Sequence, residues 1–562
     1  MNVRHLLILA LASLLVYTPG STWGAPHATD EERIKAWGVD DESPMGPLAE
    51  ISHIVMGPAP DRNLGYPLMH SFSVAAAYAP YLGGLLVTGK FTAPGGEYPY
   101  GFEDPVGALR NLTIIAHLVS VLFAMLTVLA AYSAGVFLWG ERTGLLAGMF
   151  ALASFPMFYY GRTGNVDAVQ IGFMAMCLAS FAYWLRDPRV LKGMLGIGVF
   201  GGFALATKEP IFAAFLPIAP AVVYLRWTSV RGEVPVRSWQ FWRPAVYGVG
   251  ALILAFGLGS GLFVDPERFF AHLRFAQERV AEAAAGEVAF SANYPNTVAG
   301  NLALAGNLLG YIVDSLTLPG CLLAAAGIVH SVRRAPRTAL LALCSLTYLL
   351  VLATTARIGY LRYVMPAAFP LGLYAAHAVV SAWDSRHAPL RFGLAALAVV
   401  ALGLGFLRGV DLTHAMLNDS RYTAGEWLSE QAGDGDRLEY HGPTQKLPPL
   451  AAGVGIRRST PYLGGSVPHD RTSAKAAEIA AGWQERAPEF ILAMPDYTSE
   501  AGEFHSHSLP PDAYAGLMDG AYGYGLAAEF QTPPLLPWVR TPGLDYWLVN
   551  PPIRIFVPGQ AP

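Results

Sequence analysis

Four short stretches bring ionisable side chains up against apolar runs. AWGVDDESP, residues 36–44, sets Asp40, Asp41 and Glu42 side by side just beyond the first apolar run. A carboxylate there can take a proton as a general base or hold a cation. Asp30, Glu31 and Glu32 form a similar cluster nearby, so acid content alone does not separate a reactive group from a solvated loop. GRTGNVDAVQ, residues 161–170, places Arg162 and Asp167 between two apolar runs. Ionisable groups at a membrane boundary are costly and point to function, the alternative being an interfacial ion pair between these two. LATKEP, residues 205–210, inserts Lys208 and Glu209 between two further runs, with Pro210 suited to open the second helix. A lysine so placed can hold a phosphate as a point charge, or snorkel to the interface. ARIGYLRYVMP, residues 356–366, adds Arg357 and Arg362 beside Tyr360 and Tyr363. A guanidinium fork suits a phosphate, whether on an anionic lipid headgroup or on a pyrophosphate-like ligand.

The composition says what must position these groups. Of 562 residues, 53% are hydrophobic and only 14% are charged, with a net charge of −4. So few charges cannot cover the surfaces of several soluble domains, where about 25% is usual, and the chain reads as an integral membrane protein. Disorder is excluded by the apolar content, and nucleic-acid binding by the lack of a basic stripe. Cys177, Cys321 and Cys344 are scattered through apolar runs and read as small buried hydrophobes, with no metal or disulfide spacing. His53, His70 and His272 are likewise isolated in sequence.

Apolar runs long enough to span begin near residues 6–23 and recur near 111–139, 143–161, 168–185, 193–207, 210–225, 244–264, 315–332, 338–356, 363–383 and 392–407. The first follows Arg4 and His5 and has the outline of a secretory signal, but Trp23 makes a poor cleavage position, which favours an uncleaved helix. Arg4, Arg142 and the basic loops 186–192, 226–243, 333–337 and 386–391 share one side only if the run 64–89, with Pro67 and Pro80, does not cross. That gives eleven spans and makes 24–110 one long external loop with juxtamembrane helices. The four charged motifs then face the outside. Residues 265–300 read as an amphipathic surface helix. From about 411 to 562 the chain is more polar and reads as a soluble external α/β domain, with strand-like 437–442 and 490–495 and a helix over 420–431. No Walker loop, G-x-S-x-G elbow or H-E-x-x-H occurs.

Taken in order, these motifs resemble the GT-C class of membrane glycosyltransferases that use polyprenyl-phosphate sugars, with protein O-mannosyltransferases and aminoarabinose transferases as the nearest branches. The acidic DDE after the first span, GYPL at 65–68 with Tyr66, Arg110 opening the next span, RTGNVD, LATKEP and LRYVMP carry the resemblance. NDSRYTAGEWL at 418–428 and NPPIRIF at 550–556 are similar to the beginnings and ends of periplasmic domains in related members. The chain lacks the lysine of the aminoarabinose branch near GYPL, and also the tryptophan-rich motif of oligosaccharyltransferases.

The resemblance implies a multi-pass protein of the inner (plasma) membrane. It is mainly α, with about eleven transmembrane helices over residues 1–410 and a periplasmic α/β domain over 411–562. It implies an inverting transfer of one sugar from a polyprenyl-phosphate donor to a protein, lipid or envelope-glycan acceptor outside. Asp41 would be the base, with Asp40 or Glu42 as alternates. Lys208, Arg362 and Arg357 would bind the donor phosphate, and Asp167, Arg162, Glu209 and Tyr66 would shape the site or hold a divalent cation. Two rivals are a non-enzymatic lipid-linked sugar flippase, which expects its charges near the membrane midplane, and a receptor built on the C-terminal domain.

Overall fold

The computed structural model describes every residue except 27–35, 38–43, 58–62, 286–293, 442–446, 451–452, 459–472, 495–508, 544–548 and 560–562. Asp40, Asp41 and Glu42 lie outside the described residues, as do Asp30, Glu31 and Glu32. Among the described residues, seven helices are long and apolar enough to cross a membrane: Pro105–Trp139, Val166–Arg186, Glu209–Val230, Trp239–Gly259, Val298–Arg334, Leu361–Trp383 and Ala388–Gln431. Three shorter apolar helices, Val3–Tyr17, Leu191–Leu205 and Leu340–Ala356, accompany them. Helices suit such sequences because lipid offers the backbone no hydrogen-bond partner, so each segment must satisfy its own.

The run 143–161 forms the 12-residue helix Glu141–Leu152 and then the single turn Met157–Tyr160. The run 64–89 gives the helix Met69–Val87, with Pro80 inside it, and is not among the seven. The helix expected over 315–332 begins earlier, at Val298, because the Thr297 hydroxyl caps it by accepting from the Gly300 N–H at 3.1 Å. It is broken at Thr317, whose φ is 66°, two residues before Pro319. Small residues set helix spacing where lipid gives no hydrophobic drive. A Cβ at Gly198 would lie 2.1 Å from the Gly248 carbonyl oxygen, so only glycine lets Leu191–Leu205 approach Trp239–Gly259 so closely.

The two ends of the helical body differ chemically. The helix Val166–Arg186 carries Asp167 in its first turn and Arg186 in its last, about 30 Å apart at 1.5 Å per residue. At the Arg186 end, Arg189 pairs with Glu233 at 3.0 Å and Arg226 donates to the Pro188 carbonyl at 3.3 Å, which joins the loops 186–192 and 226–243. Arg142 meets Asp384 at 3.4 Å beyond the end of the helix that Arg362 precedes. These expected basic loops thus cluster away from the Asp167 end.

The helix Ala388–Leu417 leads through Asp419 into the helix Ser420–Gln431. A five-stranded sheet follows, with strands β1 (Arg437–His441), β2 (Gly455–Arg458), β3 (Phe490–Ala493), β4 (Tyr524–Phe530) and β5 (Ile553–Pro558) in the order β2-β1-β3-β5-β4. β1 runs parallel to β2 and β3, whereas β5 is antiparallel to β3 and β4. The expected strands at 437–442 and 490–495 are neighbours in this sheet, and NPPIRIF leads into β5, which lies between β3 and β4. All three cysteines are free.

Candidate active site

Asn165 caps the helix Val166–Arg186, its side chain accepting from the Asp167 N–H at 3.1 Å. Asp167 thereby enters the first turn, where a carboxylate suits the positive end of the helix. Gln170 stands one turn on, at i+3, and so shares a face with Asp167. Both grip the same residue. The Asp167 carboxylate (Oδ1) accepts from Lys208 Nζ at 2.7 Å, and Gln170 donates to the Lys208 carbonyl at 2.8 Å. Lys208 is held there because the helix Leu191–Leu205 ends and Pro210 starts a short 3-10 turn over Glu209–Ile211.

The third member arrives from LRYVMP. Arg362 sits in the 3-10 turn Leu361–Val364, ahead of the helix that Pro366 opens, with its Nε 3.9 Å from Asp167 Oδ2. The Lys208 ammonium also lies 3.9 Å from the centroid of the Tyr363 ring and 5.3 Å from that of Tyr66. Side-chain exposure is 3% for both Lys208 and Asp167 and 7% for Arg362. Removing such charges from water costs several kcal/mol per ion by the general rule, so this buried group of Lys208, Asp167 and Arg362 is the candidate site among the described residues.

A second network fixes the wall that carries Tyr66. Arg268, on the amphipathic helix Pro266–Ala285, donates through Nε to Glu50 at 2.6 Å and through Nη2 to the carbonyls of Asn63 (2.7 Å) and Tyr66 (3.0 Å). His272, one turn further on, bonds the Leu64 carbonyl at 2.6 Å through Nδ1 and pairs with Glu209 through Nε2. Burial alone would lower the His272 pKa, but the bond to Glu209, its negative charge and the Leu64 carbonyl outweigh burial and raise it. The helix read from sequence as a surface element is therefore docked by two buried side chains onto the loop beside Lys208. Its Arg268 and His272, four residues apart, were the available signal, together with Gln170 three residues after Asp167.

Arg162 does not pair with Asp167. Its guanidinium donates to the Val16 carbonyl at 2.8 Å, to the Pro19 carbonyl and to Thr413 Oγ1 at 3.0 Å. It closes the C-terminal end of the helix Val3–Tyr17, where unsatisfied carbonyls and the negative helix end attract a cation. Arg357 adopts φ 51° and is engaged by Asn301 at 2.5 Å, Asn296 at 3.3 Å and the Tyr294 carbonyl. It thereby fastens the start of the helix Val298–Arg334 and the residues just before it. Among the described residues, no group of three or more His, Cys, Asp or Glu side chains is placed to hold a metal ion.

Residues 111–256 match the family model described as dolichyl-phosphate-mannose-protein mannosyltransferase. The matched span contains Arg162, Asp167, Lys208 and Glu209. It bears out the class expected from the motifs, a membrane glycosyltransferase of the polyprenyl-phosphate-sugar type. No curated protein matches the chain. Among solved structures, ArnT from Cupriavidus metallidurans bound to undecaprenyl phosphate is similar at 13% identity and a TM-score of 0.42, over 98% of this chain and 97% of that one. An Archaeoglobus fulgidus oligosaccharyltransferase complexed with Zn and sulfate is similar at 12% identity and a TM-score of 0.45, over 95% of this chain and 79% of that one. The S. cerevisiae Pmt1-Pmt2 complex bound to its sugar donor gives 18% identity and a TM-score of 0.33, over 48% and 33%. At these scores the likeness is distant, and no residue role rests on it.

Proposed function

We propose that this protein transfers a single sugar from a polyprenyl-phosphate donor to an acceptor at the external, periplasmic face of the inner membrane, with inversion at the anomeric carbon. In this reading about eleven spans make up residues 1–410, residues 411–562 form an external domain, and the helix ends bearing Asp167, Lys208 and Arg362 face outward. The observation that carries it is the buried cluster of Lys208, Asp167 and Arg362. Among the described residues two cations converge on the Asp167 carboxylate, an arrangement that suits the negative charge of a phosphodiester. As the glycosidic bond breaks, the departing phosphate gains charge, and fixed cations stabilise it without reorganisation. Tyr363 and Tyr66 flank the lysine and hold the ammonium in place.

The acceptor hydroxyl must lose its proton as its oxygen attacks the anomeric carbon. We assign that role to Asp41, with Asp40 or Glu42 as alternates. A divalent cation bound by these carboxylates and Asp167 is compatible with the same scheme. Arg162 and Arg357 act on the scaffold, and Glu209 acts through His272.

The test is lipid mass spectrometry on purified protein incubated with a panel of polyprenyl-phosphate sugars and envelope extract, beside Asp41→Asn. Free polyprenyl phosphate released from one donor by the wild type alone is the expected result. Intact donors together with movement of sugar-lipid across a liposome bilayer would establish the flippase reading instead. Wild-type turnover by Asp41→Asn would remove Asp41 as the base.

A further inference from the structure

The first external loop meets the C-terminal domain in a buried aromatic and ionic joint far from Lys208 in sequence. Trp23 and Trp37 pack edge to face with ring centroids 5.7 Å apart, and both are buried. Gly24 makes this possible: its φ is 70°, and a Cβ there would lie 2.4 Å from Trp37 Cβ. The Trp37 N–H donates back to the Gly24 carbonyl at 2.9 Å.

Arg421, from the first helix of the C-terminal part, lies over this pair. Its guanidinium carbon is 3.4 Å from the centroid of the Trp37 ring and 5.5 Å from that of Trp23. Asp419 grips the other edge in a bidentate fashion, accepting from Nε and Nη2 at 2.7 Å each. Both charged side chains are fully buried. Asp419 also accepts from Trp23 Nε1 at 3.0 Å and from the Asn550 N–H at 2.7 Å, which ties the loop to the residues leading into β5. Tyr422 completes the joint, its hydroxyl accepting from the Gly24 N–H at 3.3 Å. The membrane side is equally fixed. The Arg162 guanidinium holds the Pro19 carbonyl, His117 bonds the Ser21 carbonyl at 2.7 Å, and Arg110 donates to the Pro26 carbonyl at 3.1 Å.

A planar guanidinium stacked on an indole and chelated by a carboxylate has one orientation, because both partners constrain the same plane. Trp37 stands four residues before Asp41 in the sequence. On the other side of the acidic cluster, the helix Gly46–Met56 is anchored through Glu50 to Arg268. Both flanks of the cluster are therefore held by external elements, one by the C-terminal domain and one by the docked amphipathic helix.

We infer that Arg421 and Trp37 are positioning residues: through them the C-terminal domain holds the described residues that precede the acidic cluster, and sugar transfer depends on this joint. The inference rests on the reading of Asp41 as the base. It gives the C-terminal domain a part in turnover, beyond any role in selecting an acceptor. The donor phosphate site is built from other elements, so the joint acts on kcat and leaves donor KM alone.

The test uses the full-length protein, with variants Trp37→Leu, Trp37→Phe and Arg421→Lys, and Glu439→Gln as a control. Glu439 pairs with Arg486 inside the C-terminal domain, away from Trp37. Expected is a tenfold or greater fall in kcat for Trp37→Leu and Arg421→Lys, per folded molecule and with donor KM within twofold. Trp37→Phe, which keeps an aromatic face, should recover kcat to within about threefold of wild type, and Glu439→Gln should lower thermal stability with kcat unchanged. Unchanged kcat in folded Trp37→Leu, or an equal loss in Glu439→Gln, overturns the inference. If wild type itself transfers no sugar, the functional reading has failed independently. The joint is then read by hydrogen exchange over residues 36–46. Faster exchange there in Arg421→Lys but not in Glu439→Gln supports the positioning, and equal exchange in the two overturns it.

Discussion

Lys208 offers the sharpest test of how the buried charges are used. Substitution by Gln removes the ammonium that lies 2.7 Å from Asp167 and 3.9 Å from the Tyr363 ring. If that ammonium contacts the donor phosphate, transfer loses a charge-assisted interaction of about 1.5–3 kcal/mol. At 1.4 kcal/mol per factor of ten, kcat/KM falls by roughly 10- to 150-fold. The partner substitution, Asp167→Asn, has a different signature. It takes the Asp167 carboxylate away from two buried cations, and stability falls by about 3–5 kcal/mol, the usual cost of breaking a buried pair from one side. The double variant Lys208→Gln/Asp167→Asn removes both charges of the close pair. It should recover much of that stability, because contacting residues are not additive. It should recover no activity, because the phosphate contact is still missing. The assay is a thermal or denaturant midpoint in detergent for all four proteins, paired with release of polyprenyl phosphate from the donor. Recovery of transfer along with stability in the double variant would refute the reasoning and leave the pair a purely structural one.

Two pH dependences follow from histidines outside the membrane. The pKa of His272 is raised by its contacts with Glu209 and the Leu64 carbonyl despite burial, so protonation stabilises the docked state of the helix Pro266–Ala285. That contribution is fully present below the unfolded value of about 6.5 and is lost as pH rises through the higher folded value. Protease cleavage within 266–285 should therefore speed up between pH 6 and 9 in wild type and show a flatter profile in His272→Gln; identical profiles would dismiss a role for His272 in docking this helix. His441, buried against Trp483 at the end of β1, is the opposite case: burial lowers its pKa to about 3. The unfolded chain then binds the proton first, so the C-terminal domain loses stability as pH falls below about 6.5, by about 2 kcal/mol at pH 5. The melting temperature should drop on acidification, and His441→Leu should remove most of that drop.

Much of the helical body was legible because hydrophobic length is a local property. Expected runs such as 168–185 and 363–383 became the helices Val166–Arg186 and Leu361–Trp383, since lipid forces any apolar segment to satisfy its own backbone. The long start of Val298–Arg334 was less legible, because it depends on one threonine cap and a break at Thr317, not on hydropathy. In the C-terminal part, 437–442 and 490–495 were readable as strands from their own composition. That they lie parallel and adjacent, with β5 antiparallel beside them, was set by packing across more than fifty residues.

The sequence by itself determined which charges sit next to apolar runs, and the order of the motifs that mark the class. It also set the expectation that the basic loops share one side, provided that the run 64–89 does not cross. Tertiary structure decided the partners. Asp167 takes Lys208, forty-one positions away, and Arg362 beyond it, while Arg162, only five positions away, turns to the carbonyls at the end of the first helix. Arg357 is drawn to Asn296 and Asn301, and His272, isolated in sequence, finds Glu209. The physical reason is common to all of these. A charge removed from water must be met by whichever carboxylate, carbonyl or ring the fold brings within a few ångströms, and proximity along the chain carries no information about that once helices reverse direction at each end of the bundle.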